Sequence, residues 1–272
     1  MTSTPLPTLR ALLWDVDGTI AETERDGHRV AFNQAFAAAG LPWAWDVEHY
    51  GRLLAVTGGR ERLLADFALR ADAPADAAER EALARRLHVA KNAAYAGLVD
   101  DGCVALRPGV AELMDDCRRR GLRMAIATTT SRANVDALLR AQLGARWATA
   151  FDAVVCGEDV ARKKPDPAVY VLALRGLGVD SAQALAIEDS PAGVAAARGA
   201  GIATLVTRSV YFADAAVPGA LATGPGLHDV TGWRPATAAR RGGPRRVDLD
   251  DLEHWHARHA GAPLMQPQPE HC

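Results

Sequence analysis

Asp15 and Asp17 stand two residues apart at the end of a short apolar run, Leu12-Leu13-Trp14. Side chains two apart on an extended segment point the same way, so the two carboxylates share a face. Gly18 then lets the backbone turn sharply. Aligned carboxylates at a strand's carboxyl end can hold a hard cation through oxygen, or divide nucleophile and acid roles between them. A polar strand-to-loop turn is the plain alternative. Three later stretches carry groups of comparable interest: the hydroxyls Thr128-Thr129-Thr130-Ser131, the pair Lys163-Lys164 before Pro165, and Glu188-Asp189-Ser190. Singly, these read as a helix N-cap at Ser131, a solvated turn at the lysines and a second cap at Ser190. Jointly they supply the parts of phosphoryl transfer. One carboxylate can attack phosphorus, oxygen ligands can hold a cation, and hydroxyls, N–H groups and a lysine can stabilise the equatorial oxygens.

Each of these groups falls at the same point of a strand-to-helix unit. Apolar patterning predicts strands over residues 10–16, 122–127, 151–155, 184–187 and 202–206. Helices are predicted over residues 110–120, 133–143, 168–177 and from 191 to near 199. This alternation implies an α/β fold, a Rossmann-like doubly wound parallel sheet with ligands at the strand carboxyl ends. Between the first two strands, residues 22–97 read as nearly all helix, with helices from 22 to about 39 and over 47–54, 62–70 and 79–96. The expected division is a core of residues 1–21 and 98–235, an inserted all-helical cap of residues 22–97, and a C-terminal extension of residues 236–272. Residues 218–243 are rich in Gly, Pro, Thr and Ala and yield no defined element. A short helix is expected over 247–257, with a fraying end at 263–272.

The 272 residues are 49% hydrophobic and 24% charged, the balance of a soluble globular protein. A formal net charge of −2 offers no field that would favour nucleic acid or an anionic membrane. No run is long and apolar enough for a transmembrane helix, and no signal peptide is expected at the N-terminus. The four cysteines lack metal-binding spacing, which suits a reduced cytoplasmic setting. A monomer is the default expectation.

Asp-x-Asp-Gly-Thr at 15–19, a strand ending in Thr128, Lys164-Pro165-Asp166-Pro167 and Glu188-Asp189-Ser190 occur in the order that resembles the haloacid dehalogenase (HAD) superfamily, over roughly residues 10–210. The helical insert resembles that of its phosphatase and phosphomutase subgroup. The resemblance implies that Asp15 is the nucleophile, and that Asp17 protonates the leaving oxygen and then activates water. It implies that Thr128 and Lys164 bind the transferred phosphate. Asp15, the backbone carbonyl of Asp17, Asp189 and Glu188 would hold Mg2+. Lys164, directly before Pro165, takes the lysine role in preference to Lys163. Transport ATPases usually carry Thr where this chain has Asp17, so a pump is disfavoured.

Residues 19–29 (TIAETERDGHR), Trp43-Ala44-Trp45-Asp46, residues 53–62 (LLAVTGGRER) and residues 127–131 resemble the narrower CbbY-type family. That resemblance implies hydrolysis of xylulose 1,5-bisphosphate to xylulose 5-phosphate and phosphate. The rivals are a β-phosphoglucomutase-type phosphohexomutase, a phosphoglycolate phosphatase and a non-catalytic binding protein. The last would have lost Asp15, Asp17 or Lys164, and all three are present. The substrate choice falls on the cap. Thr57-Gly58-Gly59-Arg60-Glu61-Arg62 offers backbone N–H groups beside two guanidinium groups that can hold a second phosphate, Arg60 first and then Arg62. Glu24, Tyr50 and Thr129 join them as substrate contacts, with His28, Arg29, His88 and Lys91 as further candidates. A solvated helix face is the competing reading of Arg62 and Lys91. Trp43 and Trp45 are expected to pack the cap. The basic cluster at 240–246 reads as an anion or partner contact or as a charged loop. His254, His256 and His259 read as a surface helix in preference to a metal site.

Overall fold

The structure, a computed structural model, describes residues 8–237 and 245–260. The expected fraying end at 263–272 and residues 240–244 of the basic cluster lie outside the described residues. Six parallel strands form one sheet: β1 (Ala11–Trp14), β2 (Arg123–Ala127), β3 (Ala153–Val155), β4 (Ala184–Glu188), β5 (Ala203–Thr207) and β6 (Ala222–Gly224), ordered β3-β2-β1-β4-β5-β6. All of β1 is buried, as a central parallel strand covered on both faces must be. Its side chains alternate: Leu12 and Trp14 enter one apolar cluster, Ala11 and Leu13 the other. The first cluster is closed by α5 (Val110–Arg120), α6 (Arg132–Leu143) and α9 (Leu249–Ala260), the second by α7 (Ala168–Leu177) and α8 (Pro191–Gly199).

The chain leaves β1 for a helical insertion, α1 (Arg29–Ala38), α2 (Val47–Leu53), α3 (Gly59–Leu69) and α4 (Ala77–Asp100), and returns to the sheet through α5. The insertion has its own apolar cluster, with Phe32, Phe36, Trp43, Trp45, Phe67 and Leu87. Trp43 and Trp45 pack the cap as expected, and Trp45 Nε1 donates to buried Asp66 at 2.9 Å. Asp46 and Asp76 cap α2 and α4 by accepting from the backbone N–H groups of His49 and Glu79. The helix expected from residue 22 instead begins as a π-helical turn, Glu24–His28. Because α4 runs to Asp100, a division at 97/98 falls within its last turn.

β6 is an addition to the expected sheet. It lies in the Gly/Pro-rich stretch because it needs a glycine: a Cβ on Gly224 would sit 2.3 Å from the buried Trp233 ring. Trp233 packs on Trp255 of α9 with centroids 4.9 Å apart, which ties the C-terminal helix to the core. The described part of the basic cluster is neither an outward anion site nor a free loop. Arg245 pairs with buried Asp251, and Arg246 with Asp116 at 2.7 Å. His256 is buried on the Ala182 carbonyl at 2.9 Å while His259 is exposed, so the two do not converge. Among the described residues no helix is long and apolar enough to cross a membrane.

Candidate active site

Sheet register decides which side chains meet. Trp14 lies opposite Ile126 on one side and Ile187 on the other, so the residues that follow emerge together at one edge. The Asp15 N–H donates to the Ile187 carbonyl at 3.1 Å, which brings Asp15 beside Glu188. Lys164, from the loop before α7, donates from Nζ to Asp15 Oδ1 and to Glu188 Oε1, both at 2.6 Å. Tyr170 of α7 donates to the same Glu188 oxygen at 2.6 Å, and its ring lies under the Lys164 ammonium. Lys163 turns the other way, to Glu61 of the cap at 2.7 Å. Of the two lysines, Lys164 is the one that reaches Asp15 and Glu188.

Asp15, Glu188 and Asp189 are buried and present oxygens within 4.8 Å of one another. Burial lifts the Asp15 carboxyl to about 7, against the pull of Lys164 and with a further push from Glu188. Asp189 is raised well above the usual carboxylate range by burial, then by Asp15 and Glu188. Three buried carboxylates, only two of them bonded to Lys164, lack positive charge, and a divalent cation makes good that deficit. The donors are hard oxygens, so the set fits Mg2+. A Cβ on Gly18 would lie 2.0 Å from Asp189 Oδ2, so only glycine lets the first loop pass this close. The Asp17 carboxylate stands outside this cluster. It accepts from Thr23 Oγ1 at 2.5 Å and pairs with His28 Nε2 at 2.9 Å. Burial would raise it, but His28, Thr23 and Lys91 outweigh burial and hold it well below the usual range.

The site opens into two connected chambers of about 390 Å³ each. The first is lined by Asp15, Thr128, Lys164, Asp189, Leu54 and Phe212, and the second by Arg60, His88, Lys91, Ser131, Asn134 and Lys163. Asp17, Glu24, Arg62 and Thr129 border both. Above them, Tyr50 donates to Glu24, and Arg62 Nη1 donates to the Tyr50 hydroxyl at 2.6 Å. Thr57 Oγ1 donates to the Lys164 carbonyl at 2.5 Å, and Gly58 (φ +96°) opens α3. Gly59 also borders the second chamber.

Arg62 is buried, which removes the solvated-face reading. Arg60, the first choice from sequence, is exposed enough to pair with Glu81 and Glu61 at the chamber rim. Lys91 is buried too, and has no hydrogen-bond or ion-pair partner among the described residues; it lies 5.3 Å from the Phe32 and Tyr95 ring centres. Burial depresses it to about 8. Its signal was available: Leu87, Lys91 and Tyr95 form one buried i, i+4 stripe of α4. Tyr170 and Phe212 were not foreseen, and no spacing marks them.

A family model for haloacid dehalogenase-like hydrolases matches residues 9–201. The chain belongs to this family. Among its relatives, the CbbY protein of Rhodobacter capsulatus is 49% identical over 203 residues, 75% of this chain and 87% of that protein. The plasmid-borne CbbY of Cupriavidus necator is 43% identical over 249 residues, 91% of this chain and 97% of that protein. A mutant CbbY of Rhodobacter sphaeroides in complex with xylulose 1,5-bisphosphate superposes with a TM-score of 0.72 at 43% identity, covering 78% of this chain and 92% of that one. This haloacid dehalogenase-like hydrolase thus places a phosphoric monoester hydrolase's strand-end groups, and its candidate magnesium site, on the expected Rossmann-like sheet.

Proposed function

We propose that this enzyme removes one phosphate from a sugar bisphosphate, xylulose 1,5-bisphosphate, giving xylulose 5-phosphate and inorganic phosphate. The observation that carries the reading is the second chamber. Of its cations, Arg60 and Lys163 are paired with glutamates, while buried Lys91 has no hydrogen-bond or ion-pair partner among the described residues, a charge that a second phosphate would meet. Burial and Lys91 hold neighbouring His88 near 4, so it stands neutral there as a hydrogen-bonding group. The ligand bound by the Rhodobacter sphaeroides relative supports the same substrate.

In this reading the Asp15 carboxylate attacks phosphorus, an aspartyl phosphate forms, and the bond from phosphorus to the sugar oxygen breaks. Asp17 gives that oxygen a proton and then takes one from the water that hydrolyses the acyl phosphate. Free Asp17 is ionised, which suits the second step. An incoming phosphate raises its carboxyl by like-charge repulsion and so favours the protonated form needed in the first. Thr128 and Lys164 bind the transferred phosphate. Asp15, Asp189, Glu188 and the Asp17 carbonyl would hold Mg2+, which supplies charge neutralisation between phosphate and carboxylate. Glu24, Tyr50 and Arg62 meet the sugar, with Thr129 between the chambers, and the loop of Thr57, Gly58, Gly59 and Arg60 closes the second chamber. Residues 22–97 act as the cap, and the enzyme works as a cytoplasmic monomer. Phosphate release from xylulose 1,5-bisphosphate, with and without magnesium, tests the proposal. Conversion of β-glucose 1-phosphate to glucose 6-phosphate without phosphate release would replace it with the mutase.

A further inference from the structure

The loop after β5 is absorbed by none of the motifs, yet it joins the carboxylate cluster to the cap. Ser209 hydrogen-bonds the Asp189 carboxylate. The Val210 N–H donates to Glu22 at 3.5 Å. Arg208 closes the loop on itself, its guanidinium donating to the carbonyls of Phe212 at 3.3 Å and Ala215 at 2.5 Å. Held this way, Tyr211 and Phe212 leave the core and pack against the apolar cluster of the cap. The Tyr211 ring lies 5.9 Å from that of Tyr50. It also covers Gly51, where a Cβ would stand 3.1 Å from Tyr211 Cδ1. A glycine inside α2 weakens the helix, and this ring accounts for its presence. Phe212 adds an apolar wall to the chamber of Asp15 and Lys164, beside Leu54.

We propose that Tyr211 and Phe212 are the core-side seat on which the cap closes, with Gly51 as its cap-side half, and that this seat sets the preference for a sugar phosphate over small phosphate esters. The proposal rests on the phosphatase reading of the chamber. Tyr50 precedes Gly51 on α2 and holds both Glu24 and Arg62. Displacing α2 therefore displaces every cap group that meets the sugar, while Asp15, Lys164 and Thr128 stay on the core. An aryl phosphate needs only the core groups. Tyr211 is a positioning residue, and its buried hydroxyl has no hydrogen-bond partner among the described residues. The ring is the part that acts.

The test compares wild type with Tyr211→Ala, Gly51→Leu and Tyr211→Phe in the full chain with magnesium. It measures kcat/KM on xylulose 1,5-bisphosphate and on p-nitrophenyl phosphate, and hydrogen exchange over residues 47–53. In Tyr211→Ala and Gly51→Leu the ratio of the two kcat/KM values should fall about tenfold or more, mostly through KM for the bisphosphate. Exchange in α2 should quicken while β4 keeps its protection. Leucine is the better helix former, so faster exchange in Gly51→Leu would come from lost docking. Tyr211→Phe should keep the wild-type ratio. The seat is refuted if both disruptive variants keep the ratio within about twofold, if α2 exchange is unchanged in them, or if Tyr211→Phe is as damaging as Tyr211→Ala. Should wild type release no phosphate from either ester, the phosphatase reading fails, and the exchange measurement still decides whether α2 is seated on Tyr211.

Discussion

Lys164 and Lys91 face the two connected chambers from opposite sides, equally buried and oppositely served. Lys164 comes from the core and bonds two carboxylates, which raise it above its ordinary value against the cost of burial. Lys91 comes from the cap, has no such partner among the described residues, and is depressed by burial to about 8. The floor of the site is thus assembled before ligand arrives. Adjacent strand ends force unlike charges together around the candidate cation site. The roof keeps a buried cation with no hydrogen-bonded counter-ion among the described residues, which is tolerable in a part whose partner comes with the substrate.

The sharpest way to break this contrast is at the floor. Asp15→Asn should lower phosphate release from any ester, aryl phosphate included, by about three orders of magnitude or more. Chelating the divalent cation should do the same, and near-normal release in either case would remove the floor's chemical role. Stability compares the two lysines directly. Lys164→Met leaves Asp15 and Glu188 buried without their cation, and denaturant unfolding should show a loss of about 3–5 kcal/mol. Lys91→Met should show no loss at pH 7, and equal losses would erase the distinction.

The pH dependence carries the same contrast with a definite sign. Lys91 titrates at about 8 in the fold against 10.5 as the ordinary value. Between those values the unfolded chain holds the extra proton, so stability rises with pH across the window and the penalty is complete below it. Lys91→Met should flatten that rise and stabilise the protein at pH 7 by about 3 kcal/mol, as read from denaturation at several pH values. The smallest effects separate the two arginines. Arg62→Ala removes a buried charged hydrogen bond and should reduce kcat/KM on the bisphosphate about 10- to 100-fold. Arg60→Ala breaks exposed pairs and should cost less than about fivefold. Steady-state kinetics with the reverse order would restore Arg60 as the principal contact.

Much of the floor could be read from short stretches. Asp15, Asp17, Thr128, Lys164, Glu188 and Asp189 each follow a recognisable strand or precede a helix, and parallel alternation sends all such points to one edge. The roof was less legible. Arg60 and Arg62 are two apart on one helix and chemically alike, and only the packing of α3 on Tyr50 and Glu24 buries one and exposes the other. Lys91 looked like surface because its helix is charged throughout. β6 was hidden because three residues with a glycine carry little pattern, and Trp233, nine residues beyond Gly224, fills the space.

The sequence by itself determined the order of the first five strands and the helices between them, the position of every strand-end carboxylate and the insertion of a helical unit after the first strand. These follow from local periodicity and spacing, which act within a few residues. Tertiary structure alone decided that Lys163 would turn to Glu61 while Lys164 turned to Asp15, and that Lys91 would be buried with no hydrogen-bond or ion-pair partner among the described residues. It also decided that Tyr211 would come to rest on Gly51, 160 positions away in the chain. Burial and charge pairing depend on what the rest of the chain brings to a place, and no stretch carries that information alone.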